Sequence, residues 1–431
     1  MKFFNKLFQT FSSLSILNYR LYWFGQLISL SGTWMQTTAQ AWLVLKITDS
    51  PLALGEVTFL QFIPITIFAL FGGVFADRFP KRTALVVTQT LSMIQAVILT
   101  VLVLTNSVQL WEIYILAFSL GLINAFDNPT RQAFVSELVG KDYLANAVAL
   151  NSAQFNAARV IGPALGGAVI ALVGIGQAFL INAISFVPVI IGLLLMRRKE
   201  FFAAPKPQQG NVFRKVGEGL AFSLKTPQIF IIMITMAVVG TFGYNYNTIL
   251  PLLARYVLHS GALGLGFLTS AVGIGSLIAA IFMAWYARFS QKALLYSAMI
   301  FSILLLSAGI STSNQLTLVL LFLMGVFGIL FTTNANTGLQ LHSPPELRGR
   351  VLSLYFLLFA GTTPIGGFTV GVLAQHIGVQ PMVSVMGIIS IIGVSGAILY
   401  AYLHSPTARI KQPLDAQLND IAPADSHYRT S

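Results

Sequence analysis

The stretch FNAARVIGPALGGAVIALVG, residues 155–174, decides how the rest of the chain is read. It is one apolar run that carries a permanent charge, Arg159, one turn before a proline and a pair of glycines. A guanidinium at the middle of a bilayer costs at least about 2.5–3.5 kcal/mol on insertion scales, so such a residue normally faces a wet cavity or a partner. Proline removes a backbone hydrogen bond and bends a helix. In lipid that is tolerated only where neighbouring groups re-satisfy the backbone. At 100° per residue Ser152, Asn156, Arg159, Pro163 and Gly166 or Gly167 fall on one stripe, which therefore faces protein or cavity rather than lipid.

Composition identifies the solvent. Of 431 residues 56% are hydrophobic and 9% charged, against about 25% charged in an ordinary soluble protein. Runs of 18 or more apolar residues recur, and about 20 residues cross a hydrocarbon core. A polytopic all-α membrane protein follows. The formal charge of +12 does not imply nucleic acid, because the basic residues sit in short segments between apolar runs and read as topology signals. With no cysteine, disulfides, thiolate nucleophiles and thiolate metal sites are excluded.

Twelve spans are predicted, at 22–45, 54–75, 83–104, 110–126, 144–173 and 178–196, then 229–253, 263–286, 293–310, 316–333, 351–375 and 382–402. The expected organisation is an amphipathic N-terminal segment on the membrane surface (1–18), a six-helix bundle (19–196), a basic linker (197–227), a second six-helix bundle (228–403) and a C-terminal tail (404–431). If both termini are cytoplasmic, only Lys46 and Arg255 among the 25 Lys and Arg fall outside, Arg159 lies in the membrane, and all others lie inside. That bias gives an inner-membrane protein with cytoplasmic termini.

The halves echo each other. ADRFPKR (76–82) follows the second span and YARFSQK (286–292) the eighth, with Arg78 and Arg288 210 positions apart. GPALGG in the fifth span and TPIGG in the eleventh place Pro163 and Pro364 201 apart. Two near-equal spacings in order indicate a parallel duplication, an arrangement that puts a substrate site near the midplane between the halves.

These residues resemble the major facilitator superfamily. GGVFADRFPKR (72–82) looks like its loop signature Gly-x-x-x-Asp-Arg-x-Gly-Arg-Lys, with Pro80 in place of the second glycine. GPALGG is similar to the fifth-helix motif of its exporters, and FDNPTRQAFVSEL (126–138) to the bacterial branch that holds the enterobactin exporter and macrolide efflux pumps. The resemblance implies a major facilitator fold and a gating set of Asp77, Arg78, Lys81, Arg82, Asp127 and Arg131. In the family the arginine of the loop meets an acid at the inner end of the fourth helix, where Asp127 stands here. A carboxylate and guanidinium beside the low-dielectric boundary can form a latch that is made when the halves close on the inner side and broken when they open. The alternative is a positive-inside anchor. For Gly162, Pro163, Gly166 and Gly167 the functional reading is a bent seam between the halves, and the alternative is ordinary small-residue packing.

A central cavity is expected from the polar stripe Gln26, Ser29, Thr33, Gln36, Thr37 and Gln40 of the first span, with Tyr244 and Asn245 in the seventh, Asn334 in the tenth, and Asn156 and Arg159 in the fifth. Interhelical polar packing is the alternative for any one of them. Arg159 has no acid at comparable depth, so it either binds substrate anions or is held by carbonyls and amides. No P-loop, HExxH or GxSxG is present, no two of the five histidines have metal-ligand spacing, and no metal or cofactor is implied.

The function expected is secondary transport by alternating access. The resemblance implies export of a small amphiphile such as a drug or siderophore, with protons as the candidate coupling ion. A lysophospholipid flippase and an importer are rivals of the same fold. A polytopic enzyme lacks a clustered constellation. The partners expected are the small-molecule substrate and membrane lipid, no nucleic acid, and a monomeric state.

Overall fold

The computed structural model describes residues 11–202, 212–285 and 289–404. Among them the chain is helical throughout, because a helix satisfies its own backbone groups where no water can. The spanning helices are α1 (Leu17–Thr48), α2 (Pro51–Arg78), α3 (Lys81–Leu104), α4 (110–139), α5 (141–172) and α6 (Ile175–Leu195), then α7 (Pro227–Val257), α8 (Gly261–Trp285), α9 (Gln291–Ile310), α10 (Asn314–His342), α11 (Pro345–Ile377) and α12 (Val379–Leu403). Among the described residues ten stretches are apolar and long enough to cross a bilayer. Leu110–Leu172 counts once among them although it is two legs, and α1 is absent because its glutamines, serines and threonines lower its hydropathy. Adding both gives twelve, the major facilitator architecture.

Sequence punctuation sets the turns. Ser50 Oγ accepts from Ala53 N at 3.2 Å with Pro51 at the first helical position, and Ser290 and Ser313 cap α9 and α10 in the same way. Gly140 adopts φ 67° between α4 and α5. A side chain is strained there, and the Phe202 ring occupies the space, 2.8 Å from where a Cβ would sit. The side of the membrane that carries this bend, the start of α1 and the linker is called the linker side; the opposite side is the far side.

Several predicted ends are corrected. The fourth span continues past Phe126 to residue 139, and the tenth past Thr333 to His342. Polar side chains there are carried by buried protein contacts rather than by a helix end. The seventh and eleventh spans are each broken near the middle, at residues 243–245 and 361–362. In the predicted surface segment, Ser12–Ser15 form one 3-10 turn and residues 1–10 lie outside the described residues. So do Arg288 of the repeated loop and residues 405–431. In the linker, Val212–Lys225 is helical, and Glu218 pairs with Arg350 at the start of α11.

The two halves meet along two matched seams, α2 against α11 and α5 against α8. A Cβ on Gly55 would lie 2.9 Å from Gly371 Cα, and one on Gly167 would lie 2.6 Å from the Ala262 carbonyl and 3.0 Å from Gly266 Cα. Backbones this close leave no room for a side chain. Every hydrogen bond joining the halves among the described residues lies at mid-depth or on the far side. They are Asp49 with Arg255 and Tyr256, Ser50 with Gln375, Thr58 with Thr248, Ser270 with the Val160 carbonyl, and Thr66 with the Gly361 carbonyl.

Candidate substrate pathway and gates

On the linker side the first half walls a cavity of about 560 Å³, lined from α1 by Tyr22 and Leu30, from α4 by Asn128, Arg131, Gln132 and Val135, and from α5 by Val148, Asn151, Ser152, Gln154, Phe155 and Asn156. The size suits a small organic molecule. Deeper along α5, Pro163 borders a void of about 20 Å³ shared with Trp34, Thr37 and Tyr246. Asn156, Arg159 and Pro163 share one helix face. Arg159 therefore lies on α5 between the residue that borders the cavity and the one that borders the void.

Arg159 has a buried Nε with no hydrogen-bond partner, and it lies within electrostatic reach of Tyr246 and Tyr244. Those tyrosines come from the break in α7. Tyr244 stacks on Phe301 with ring centroids 5.1 Å apart and meets Phe359 and Tyr246 edge-on. The Tyr246 hydroxyl and Asn245 Oδ1 are buried without partners, while Asn245 Nδ2 donates to the Thr241 carbonyl at 2.6 Å.

Other members of the predicted cavity set are placed differently. Gln36 is spent on packing, since it donates to Gln95 at 2.8 Å and accepts from Asn182 at 2.6 Å. Asn334 is buried between α10 and the α8–α9 turn, donating to the Leu330 carbonyl and accepting from Ser290 N at 3.2 Å. In this state both side chains are engaged by protein partners. In an apolar surrounding an amide gains more from a fixed partner than from a cavity it only borders. Gln40 donates to Gln61 at 2.9 Å yet still borders a small void with Thr37 and Asn247. Thr33 donates to the Ser29 carbonyl of its own helix at 2.9 Å. Asn156 donates to the Ser152 carbonyl at 2.8 Å from the cavity wall.

The predicted gating residues divide into three groups. Asp127 is 1% exposed; its Oδ1 accepts from Thr88 at 2.6 Å and Gln89 at 3.0 Å, and its Oδ2 pairs with Arg131 one turn on. Lys81 and Arg82 stay within their own half: Lys81 meets Glu137 at 2.7 Å, and Arg82 donates to the Leu193 and Leu194 carbonyls at 2.5 and 2.7 Å, at the end of α6. They are anchors in this state, joining α3 to α4 and α6. Arg78 is exposed and is not among the partners of Asp127. The Asp77 side chain lies outside the described residues.

The seam motif also divides. A Cβ on Gly162 would lie 2.6 Å from the Ser31 carbonyl and one on Gly166 3.2 Å from the Met35 carbonyl, both on α1 of the same half, whereas Gly167 faces α8 across the seam. The duplication repeats this. Gly366 faces Asn245 on α7 of its own half, and Gly367 faces Thr58 of α2 across the seam at 2.6 Å. Gly167 and Gly367 are thus the crossing members.

The far-side latch was not singled out from sequence. Asp49 Oδ1 accepts from Arg255 Nε at 2.9 Å and Nη2 at 2.7 Å, and from the Tyr256 hydroxyl at 3.1 Å. These donors hold the Asp49 carboxyl below the usual carboxylate range. The signal was present: Arg255 is one of two basic residues that the topology count leaves on the wrong side.

The sequence model of a family described as transmembrane secretion effector matches residues 8–416. The chain is 27% identical to the staphyloferrin A transporter of Staphylococcus aureus, over 84% of this chain and 90% of that one. It is 20% identical to macrolide efflux protein A of Streptococcus pyogenes, over 84% and 91%, and 25% identical to the multidrug efflux pump Tap of Mycolicibacterium fortuitum, over 83% and 89%. A solved bacterial homolog of the human lysosomal transporter Spinster superposes with a TM-score of 0.70 at 13% identity, covering 90% of this chain and 97% of that one. The nucleoside transporter NupG does so at 0.69 and 12%, covering 89% and 98%. Twelve spans in two seamed halves around a polar path are the working parts of a carrier, and the chain belongs to the transmembrane secretion effector family of major facilitator transporters, multi-pass proteins of the bacterial membrane.

Proposed function

We propose that this transporter exports a small amphiphilic compound, of the drug or siderophore kind, from the cytoplasm by alternating access with ion coupling. The linker side is assigned to the cytoplasm on the charge bias, since among the described residues every Lys and Arg but Lys46, Arg255 and Arg159 lies toward that side. The observation that carries the reading is asymmetric closure. The far side is sealed by two glycine seams and the Asp49–Arg255 pair, while the cavity lies on the linker side with no hydrogen bond between the halves there among the described residues. That is one end state of a two-state carrier loading from the cytoplasm. Export is supported by two relatives whose names describe efflux.

In this proposal the gating set of Asp77, Arg78, Asp127 and Arg131 closes the cytoplasmic side when the far side opens. Asn156, Arg159, Gln40, Tyr244 and Asn245 contribute to the path. Everted membrane vesicles test the function: an energised pH gradient should drive accumulation of an exported macrolide or catecholate siderophore above that of vesicles lacking the protein. Accumulation only in right-side-out vesicles would make the protein an importer. Accumulation independent of any ion gradient would remove the coupling.

A further inference from the structure

We infer that the junction of the two halves is an anion site, in which one acidic group of the transported compound is held by Arg159 from the first half and by the Tyr246 phenol from the second. The inference rests on reading the chain as a carrier of small compounds, and it narrows those compounds to carboxylate-bearing or otherwise acidic amphiphiles.

The argument begins with charge. Six acids belong to the spans of the first half; the Asp77 side chain lies outside the described residues, Asp142 is exposed at the start of α5, seventeen positions before Arg159, and the other four are engaged. Asp127 meets Thr88, Gln89 and Arg131, Glu137 meets Lys81, Glu56 meets the Tyr114 phenol, and Glu112 caps its own helix. Arg159 has no hydrogen bond or ion pair to any of them, and its Nε is buried and unpartnered. A buried cation is normally paired or hydrogen-bonded. Arg159 is half-buried with its Nε fully buried and unpartnered, and it shares a face of α5 with Asn156 at the cavity and Pro163 at the small void.

The second half supplies what a carboxylate needs beside a guanidinium. Tyr246 borders the same void, its hydroxyl is buried without a partner, and it lies within electrostatic reach of Arg159. The phenol oxygen could accept from the guanidinium, but no such bond is made here, and an acceptor placed between them would take one donor from each. A charge-assisted contact of that kind is stronger than a neutral one. The stacked rings of Tyr244 and Phe301 lie alongside for the apolar part of an amphiphile.

The placement couples binding to movement. Arg159 belongs to one half and Tyr246 to the other, so an anion held by both bridges the bodies that must rock against each other. Its occupancy can then bias the equilibrium between the two end states, provided that its contacts differ between them.

Binding by the purified full-length protein tests the site without requiring transport. The probes are 2-naphthoate and 2-naphthamide, alike in shape and different in charge, with affinity read by calorimetry and by the shift in thermal unfolding. Wild type should bind naphthoate about tenfold or more tightly than the amide, the ratio expected when a charge-assisted contact is lost. Arg159→Gln should bring the ratio to about one, Arg159→Lys should keep part of it, and Tyr246→Phe should reduce it several-fold while leaving the cation in place. Equal binding of the two probes by wild type, or an unchanged ratio in Arg159→Gln, would overturn the inference. If Arg159→Gln does not fold, Tyr246→Phe decides, and an unchanged ratio there overturns it. Chloride or phosphate that displaces naphthoate at cellular concentration, with the same stabilisation and the same dependence on Arg159, would show a free inorganic anion as the occupant and overturn the substrate class. Failure of export in vesicles alongside Arg159-dependent naphthoate binding would remove the export reading and leave this one standing.

Discussion

Asp49 and Arg255, 206 positions apart in sequence, fasten the far side of the molecule through a single carboxylate oxygen. Asp49 Oδ1 receives two guanidinium N–H groups at 2.9 and 2.7 Å and the Tyr256 phenol at 3.1 Å. The acid belongs to the α1–α2 turn of the first half and both donors to the end of α7 in the second. The cluster can exist only while the far side is closed. On the linker side the exposed Arg78 has no counterpart of this kind, so the two ends of the molecule are in opposite states.

The latch should therefore bias the carrier toward opening on the linker side, and Asp49→Asn or Arg255→Gln should relax that bias. Exposed pairs are weakly stabilising, so the expected effect is a shift of several-fold in the populations, not loss of fold. Labelling of a cysteine at Thr37 by a membrane-impermeant thiol reagent from the far side reads it; unchanged labelling in both variants argues against a gating role.

The same carboxyl gives a pH dependence with a definite sign. Its pKa is lowered in the closed state relative to an ordinary value of about 3.9 when the latch is open. A lowered carboxylate pKa contributes fully above the ordinary value and is lost as pH falls through the lowered one. The latch should be indifferent to pH from 5 to 8. Any change of conformation over that interval should survive in Asp49→Asn, and its disappearance there would contradict this assignment.

Gly166 and Gly167 should separate cleanly although they are adjacent. Gly167→Leu pushes α5 from Ala262 and Gly266 across the seam, so it should make the far side leaky to the same thiol reagent. Gly166→Leu presses on Met35 within one half, so it should lower thermal stability by several degrees without changing access. The chain has no native cysteine to confuse the labelling. The reverse pattern would mean that the seam is ordinary packing.

Much of this was legible in the sequence because lipid imposes strict rules. Apolar runs of span length and a basic-residue bias follow from the solvent, and Arg159 stands out because charge in oil is costly. The stripe of α1 was found by its period, but period gives a face and not a partner. Gln36 turned out to meet Gln95 and Asn182, and Gln40 to meet Gln61. The predicted end of the fourth span at Phe126 falls short of the helix because Asp127, Asn128, Thr130 and Arg131 look like a loop. They continue the helix because a buried ion pair and a cavity take up their polarity. The far-side latch joins positions 206 apart, and the outlying charge of Arg255 marks one partner but not the other.

In the end state seen here Asp127 should act as a structural acid whose loss leaves Arg131 unpaired. Breaking one side of a buried pair is costly, about 3 kcal/mol or more. Arg131 keeps some solvent contact at the cavity, which lowers the expected cost. Asp127→Asn should reduce the thermal stability of the purified protein by several degrees, and the double variant Asp127→Asn, Arg131→Gln should recover part of it. Additive losses in the double variant would mean that the two side chains act independently.

Arg78 is the sharpest test of the linker-side gate, because it is exposed and makes no hydrogen bond or ion pair among the described residues in this state. A residue without contacts here contributes nothing to this end state, so its removal should leave thermal stability within about one degree of wild type. If Arg78 closes on an acid when the halves meet on the linker side, Arg78→Gln should nevertheless slow turnover, because only the other end state loses a contact. Asp77→Asn should slow turnover as well if the acid and base act as one latch, and the double variant should then be no slower than the worse single one. Lys81→Met gives the contrast. Its partner Glu137 lies in the same half at 2.7 Å with Lys81 only 8% exposed, so its loss should lower stability first. Wild-type turnover in Arg78→Gln, measured beside destabilised Lys81→Met, would assign the whole basic loop to anchoring and leave the gate to other residues.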